Sequence, residues 1–485
     1  MKKIAKLILG IGILTLPLST YGQEKENSGV VAPDVLKDAV NKPAVSADKE
    51  EVKTPSTANN DIKSVSTTSE TAKKEIHNKS ETPVSKDVVK KNESPSEWKL
   101  VISGFVRGDF SFNSGHIFSL DSPLFAHNDS DFRETGMSFT GRLSRIRLTG
   151  NAPKIGDNWQ PYGVIEGDFF GNLPASGTSI RQAQFRMRLA YAAIKNDQMD
   201  IHFGNDWMVA APLFASALEP FNLWGQGNIW MRYPQLNIRT KFQAHKNANV
   251  QIAASVGHNM GGDAPKSEPL LQGGIGENSG LPVFQARLGF GLKFEDVSLD
   301  AGVSGSWQKI KFSESGDVSI QDAFAGSPDD EQNVYFISAD TVFNMKINKT
   351  VNIKLSGEYY KGQGTSMYWG AILIGPAILD TTGGSGNGTA TMVRSQGFFG
   401  DLKVSLPANF GVFAGFGMDI VNEDDISSDT RSKNRMIYGG ATYSFMSGKK
   451  PVLILGASFA NLTTSYKDAD DGKANLVHFM ASVPF

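Results

Sequence analysis

From Trp98 to the last residue the chain keeps a two-residue alternation of apolar and polar side chains, and no other feature constrains its fold as strongly. Successive side chains of an extended strand point to opposite faces, so a period of two describes a strand with one greasy face and one wet face. In the first copy Leu100, Ile102, Val106, Phe110 and Phe112 fall on one side, with Gly104 and Gly108 between them. Lys99, Ser103, Arg107, Asp109 and Ser111 fall on the other. Later, Phe284, Ala286, Leu288, Phe290, Leu292 and Phe294 oppose Gln285, Arg287 and Lys293, and further copies run Val297 to Trp307, Ile337 to Ile347, Val351 to Tyr359, Phe410 to Ile420 and Ile437 to Phe445. Counting them gives about 16 segments, each long enough for the roughly 9 to 11 tilted residues of a membrane-crossing strand.

The connections alternate in length. Lys195 to Gln198, His245 to Asn249, Glu295 to Asp296, Asn348 to Thr350, Pro407 to Asn409 and Ser447 to Lys450 are tight turns. Between them lie Asn113 to Thr135, Trp207 to Pro234, Asn259 to Pro282, Lys311 to Asn333 and Gly362 to Val393. A transmembrane antiparallel barrel has short turns on its periplasmic side and long loops outside, whereas soluble sandwiches rarely segregate loop lengths this way. The last segment agrees. Val477, Phe479, Ala481, Val483 and Phe485 share a face, and an aromatic final residue resembles the signal by which bacterial outer-membrane barrels are recognised for insertion.

Ahead of the alternation, Lys2, Lys3 and Lys6, an apolar stretch from Ile4 to Leu18, and the small residues Thr20 and Gly22 form a secretory signal over 1–22. That stretch is too short for the roughly 20 residues of a helical span, and no later run reaches 18 apolar residues. Residues 23–97 contain no Phe, Trp or Tyr before Trp98 and are rich in Lys, Glu, Ser, Thr and Pro, a composition that cannot offset chain entropy by burial. They read as a disordered periplasmic arm, either a spacer or a contact to a periplasmic partner. With no Cys, the exported fold has neither a disulfide nor a lipid-anchor site, and a net charge of -2 gives no general attraction to nucleic acid. Residues 98–485 are thus expected to form one all-β barrel domain in contact with outer-membrane lipid.

Several segments carry a family resemblance. Gly104-Phe105-Val106-Arg107-Gly108-Asp109, Ile165-Glu166-Gly167-Asp168-Phe169-Phe170-Gly171, Phe185-Arg186-Met187-Arg188-Leu189-Ala190-Tyr191 and Arg232-Tyr233-Pro234-Gln235-Leu236 resemble the DcaP-like family of trimeric outer-membrane porins. The likeness covers about Gly104 to Arg239. It implies a passive channel, a homotrimer and a preference for small anionic solutes such as dicarboxylates. Members of that family often carry a periplasmic coiled coil, where this chain has Pro33 and Pro43 and no heptad.

Arginine is placed unevenly, ten between Arg107 and Arg239 and four after it. Parity sets Arg145 and Arg147 opposite Ile146 and Leu148, Arg186 and Arg188 opposite Met187, Leu189 and Tyr191, and Arg239 opposite Ile238. Arg142 joins this face if a bulge lies near Leu143. An arginine turned to lipid at mid-membrane costs about 2 to 4 kcal/mol, so these side chains belong inside, together with Arg107, Glu166 and Asp168. Two readings stay open: the arginines pair with Asp109, Glu166, Asp168 and Asp200 and only fill the interior, or surplus guanidinium groups offer forked donors to passing carboxylates.

The third long loop, Trp207 to Pro234, is expected to fold inward or to form a subunit contact. In the first case Phe214, Leu218, Phe221, Leu223, Trp224 and Trp230 pack on the wall and Glu219, Asn222 and Gln226 lie near the aperture. The apolar run Trp369 to Leu379 in the sixth loop has no evident role. Catalysis finds no support: the seven His residues keep no metal-ligand spacing, and the Gly-rich run Thr382 to Thr389 follows no strand-to-helix pattern. No cofactor or metal site is expected. A diffusion porin is the leading expectation. The alternatives are a substrate-binding receptor, which normally needs a plug and about 22 strands, and a barrel enzyme or structural protein.

Overall fold

The structure is a computed structural model that describes residues 97–485 except 120, 122, 129–134, 157, 172–182, 220–222, 259–273 and 316. The signal segment and, but for Glu97, the arm lie outside the described residues, as do Phe221 and Asn222.

The wall is a closed antiparallel barrel of 16 strands. Its members are β1 (Lys99–Asn113), β2 (Gly136–Thr140) with β3 (Arg145–Asn151), β4 (Gln160–Gly171), β5 (Gln184–Lys195), β6 (Met199–Trp207), β7 (Arg232–His245), β8 (Ala248–Gly257) and β9 (Val283–Lys293). They continue through β10 (Val297–Lys311), β11 (Glu331–Lys346) and β12 (Asn352–Gln363). A two-stranded hairpin, β13 (Ala377–Asp380) and β14 (Thr389–Met392), sits in the following loop. The wall resumes with β15 (Arg394–Ser405), β16 (Phe410–Val421), β17 (Arg431–Ser447), β18 (Lys450–Tyr466) and β19 (Ala469–Pro484).

Each wall strand pairs with its sequence neighbours, and β1 closes the ring by pairing with β19 from Phe105↔Pro484 to Asn113↔Leu476. Closure removes the sheet edges that hydrocarbon does not tolerate. The outward positions form a continuous apolar surface, with Leu100, Ile102, Phe139, Phe203, Leu288, Val303, Ile337 and Phe479 among its exposed side chains. An apolar surface that wraps the whole wall matches lipid, not water.

β2 and β3 are two halves of one wall strand. β1 pairs with both, and the break at 141–144 leaves the middle of β1 without a ladder partner on that side, while β19 pairs it on the other. Ser144 bridges it: its hydroxyl accepts from the Arg107 N–H at 3.0 Å and donates to the Arg107 carbonyl at 3.2 Å. Several strands are longer than the alternation suggested, β17 and β18 reaching 17 residues each.

The barrel mouth at the long-loop end is filled by loops. The third loop, 208–231, runs inward and is held by side chains of the far wall. The Ala211 N–H donates to Ser304 of β10 at 3.1 Å, the Leu213 N–H to Glu358 of β12 at 3.2 Å, and the Ser216 N–H and hydroxyl to Asp401 of β15 at 3.0 and 2.7 Å. The sixth loop packs over it, with the Trp369 ring stacked on Trp224 at 4.1 Å and 3°. Ile372, Tyr368 and Trp224 are buried in one core with Phe312 and Phe324, the latter from the short helix α1 (Val318–Phe324) of the fifth loop. This accounts for the apolar Trp369 to Leu379 run: it is the core of an internal lid. Neither α1 nor the β13–β14 hairpin was visible in the alternation.

At the apex of the third loop, Gly227 lies against the wall with φ +104°, where a Cβ would meet the Phe398 carbonyl and stand 2.7 Å from both Met418 N and O. A β-branched residue there is strained in backbone and in space. Gly227→Val is expected to destabilise the loop by about 1–3 kcal/mol and push it off the wall. Single-channel conductance then rises while the heat-modifiable folded band on gels is retained.

Candidate functional site

Register brings the arginines of the near wall together. Arg145 stands opposite Asp168 and Arg147 opposite Glu166 across β3 and β4, and Asp168 stands opposite Arg186 across β4 and β5. Directly opposed residues of an antiparallel pair share a face, so these three guanidinium groups and two carboxylates meet on the inner surface, where Arg188 joins them. Arg147 reaches Glu166 at 2.7 Å and Arg145 reaches it at 3.6 Å. Arg186 pairs with Asp168 at 2.9 Å, and Arg188 bridges Glu166 and Asp168, both at 2.8 Å. Four cations against two anions leave a surplus of two positive charges. The carboxylates are buried behind the arginines, while the Arg147 side chain stays 40% exposed.

A bulge makes the cluster possible. On β5, Met187 faces Gly167 and Leu189 faces Glu166, so Arg188 is the extra residue between them. Parity is reset below it. Leu189 and Tyr191, expected on the lipid face with Met187, turn inward instead: Leu189 is buried, and the Tyr191 ring stacks on His202 at 4.5 Å. Uninterrupted alternation cannot reveal such a shift.

Below the cluster runs a polar ladder on β4, β6 and β7. The Tyr162 hydroxyl donates to Asp200 at 2.9 Å, His202 contacts Asp200 at 3.0 Å and Asp206 at 2.8 Å, and Asp206 also accepts from Asn237 at 2.9 Å and Arg239 at 3.0 Å. Arg239 is thus inward, with its side chain 40% exposed.

Four of the expected residues have other surroundings. Arg107 pairs with Asp109 at 2.6 Å and donates to the Leu218 carbonyl at 2.6 Å, tying the third loop to β1. Arg142, in the break between β2 and β3, is buried, bonded to Asp121 of the first loop and laid over the Phe170 ring at 3.9 Å. Glu219 and Gln226, expected near the aperture, are buried anchors. Glu219 accepts from the Ser458 hydroxyl at 2.7 Å, and Gln226 donates to the carbonyls of Pro123 and Leu124 at 2.6 and 2.9 Å. Phe214 departs the other way: expected against the wall, it keeps 36% of its surface open.

The sequence reading missed Arg232, which lies over the Trp207 ring at 4.9 Å on the side of the arginine cluster, and Asp206, the acceptor shared by three wall residues. It also missed the pairing of Arg287 with Asp340 at 2.6 Å. The inward parity of Arg287 was legible, but its partner two strands away was not. A cavity of about 560 Å³ lies between the first part of the third loop and the short-turn half of the near wall, bordered by Asp200, Arg239, Lys241, Arg287, Met208 and Phe214.

No protein-family model and no curated protein matches the sequence. Among solved structures, the chain is similar to the outer membrane channel DcaP of Acinetobacter baumannii, at 17% identity and a TM-score of 0.57, over 81% of this chain and 99% of that one. It also aligns with OmpF of Salmonella typhi in complex with daunomycin (12% identity, TM-score 0.48, 80% and 97% of the chains). A third alignment is with the trimer form of OmpT, an outer membrane protein of Vibrio cholerae (13%, 0.46, 80% and 100%). The fold is that of the channel DcaP.

Asp168 is fully buried between two guanidinium groups, so Asp168→Ala leaves Arg186 with no carboxylate in the cluster at pairing distance. Breaking such a pair from one side costs about 3–5 kcal/mol. Arg147→Gln, at an exposed position whose partner Glu166 keeps Arg188, is expected to cost about 1 kcal/mol or less. The temperature at which the folded gel band disappears measures both.

Proposed function

We propose that this chain is an outer-membrane porin that lets small anionic solutes, dicarboxylates among them, diffuse passively past an arginine-lined wall, and that three copies associate. The observation that carries the reading is the surplus on the near wall: Arg145, Arg147, Arg186 and Arg188 share only Glu166 and Asp168, with the cations toward the lumen and the acids behind them. In a narrow water-filled space bounded by protein of low dielectric, such an arrangement raises the local concentration of anions and repels cations. The long loops then face the outside and the short turns the periplasm. The channel neighbour DcaP supports passage as the activity.

Passage needs weak binding. Every arginine of the cluster already has a carboxylate neighbour, so a visiting anion competes for a guanidinium that is in use and is released readily. Specificity of this kind is electrostatic and falls with salt, since the Debye length shrinks from about 30 Å at 0.01 M to about 3 Å at 1 M.

The wild-type channel in a planar bilayer is expected to show an anion-preferring reversal potential in a dilute salt gradient. Arg147→Gln with Arg239→Gln is expected to move it toward cations, because the pair removes two of the more open inward guanidinium groups of the near wall while Glu166 keeps Arg188 and Asp206 keeps His202. A cation-preferring wild type, or a double variant with an unmoved potential, overturns the reading. Mass measurement in mild detergent is expected to give three copies, and a stable monomer in several detergents overturns the assembly.

A further inference from the structure

The cavity beneath the third loop has two unlike sides. On the loop side Met208, Val209, Ala211, Pro212 and Phe214 border it, together with Trp207 and Trp230. The three rings form one edge-to-face cluster, Trp207 to Phe214 at 5.1 Å, Trp207 to Trp230 at 5.0 Å and Phe214 to Trp230 at 5.3 Å. On the wall side stand Lys195, Arg239, Lys241 and Arg287, with Gln251, Asp197 and Asp200 among them. The acids that pair with the two arginines, Asp206 and Asp340, are buried, so at the border of the cavity four cations stand against two acids. Its volume, about 560 Å³, falls in the range of about 300–1,000 Å³ typical of small-molecule sites.

Two features make the apolar side a specific surface. Phe214 keeps more than a third of its area open although an apolar ring gains by covering it. Its position is also fixed in advance, because the residues on either side of it are latched to the far wall: Leu213 to Glu358 and Ser216 to Asp401. A ring held rigid by its neighbours costs little ordering when a ligand arrives.

Resting on the anion-passage reading above, we infer that this cavity is a binding station for carboxylates that carry a flat apolar ring. The carboxylate lies toward Arg239 and Lys241, and the ring packs on the open surface of Phe214. Short aliphatic anions use only the cationic side. Aryl carboxylates use both, and the aromatic contact adds to charge attraction, enough for about a tenfold preference.

The test uses single channels of the full-length protein in a planar bilayer, with potassium benzoate or potassium acetate added to a potassium chloride background. Benzoate is expected to interrupt the current with an apparent affinity about tenfold tighter than acetate. Phe214→Leu keeps an apolar side chain and both flanking latches, and is expected to bring the two anions to within about twofold. Equal affinities in the wild type, or a gap that persists in Phe214→Leu, overturn the inference. Reversal potentials recorded on the same channels separate the two readings. An anion-preferring channel indifferent to the ring overturns this inference alone, and a cation-preferring channel overturns both.

Discussion

Hydrocarbon offers no partner to a backbone amide, and that constraint governs everything else in this chain. It forces the strands to close, β19 onto β1, and it forces side chains to sort by parity, apolar outward and polar inward. A wall under this rule has little freedom, so its irregularities carry information. The two described here, the break between β2 and β3 and the bulge at Arg188, both fall in the arginine-rich arc. Each is made harmless to the backbone in its own way. The Ser144 hydroxyl stands in for a missing strand at Arg107, and the bulge keeps the ladder intact on both sides of one extra residue. In return, Arg188 reaches two carboxylates at once.

Charge is divided between the two sides of the barrel by task. On the far wall Glu358, Asp401 and Asp419 are buried and hold loops: Glu358 and Asp401 accept from backbone amides of the third loop, and Asp419 accepts from the Tyr360 hydroxyl at 2.7 Å beneath the sixth. Asp340 reaches back and holds Arg287. These acids are consumed by structure. On the near wall the cations outnumber the acids and keep open surface. Because the third loop is pinned to the acidic side, the passage proposed here runs along the arginines, and the loop anchors and the field act as one device.

Much of the fold was legible in the sequence because alternation is a direct readout of a two-faced wall. The strand segments, the tight turns and the loop order follow from it, as does the inward side of Arg145, Arg147 and Arg239. What stayed hidden has a common physical cause. Alternation describes one strand at a time and is blind to what lies across the lumen, so the latches from Glu358 and Asp401, the partner of Arg287 and the burial of Glu219 were out of reach. It is equally blind to bulges, since an inserted residue preserves composition and only moves phase; Leu189 and Tyr191 were misassigned for that reason. The apolar Trp369 to Leu379 run gave a signal without a location, because a hydrophobic loop has a reason only once its counterpart, Trp224, is in view.

On the proposed anion passage, the sharing of carboxylates also explains how one lumen combines attraction with release. An unpaired guanidinium beside a narrow passage would hold a carboxylate through a charge-assisted forked bond and slow its exit. Here Glu166 is shared by three arginines and Asp168 by two, so on the proposed passage a solute exchanges with a resident acid at each step and never meets an empty fork. The same buried acids prevent the cations from repelling one another out of the cluster, a cost that would otherwise fall on the wall itself. On the proposed anion passage, selectivity in this barrel is set by the number of arginines per carboxylate. The geometry that fixes this ratio is the register of β3, β4 and β5, with the extra residue at Arg188.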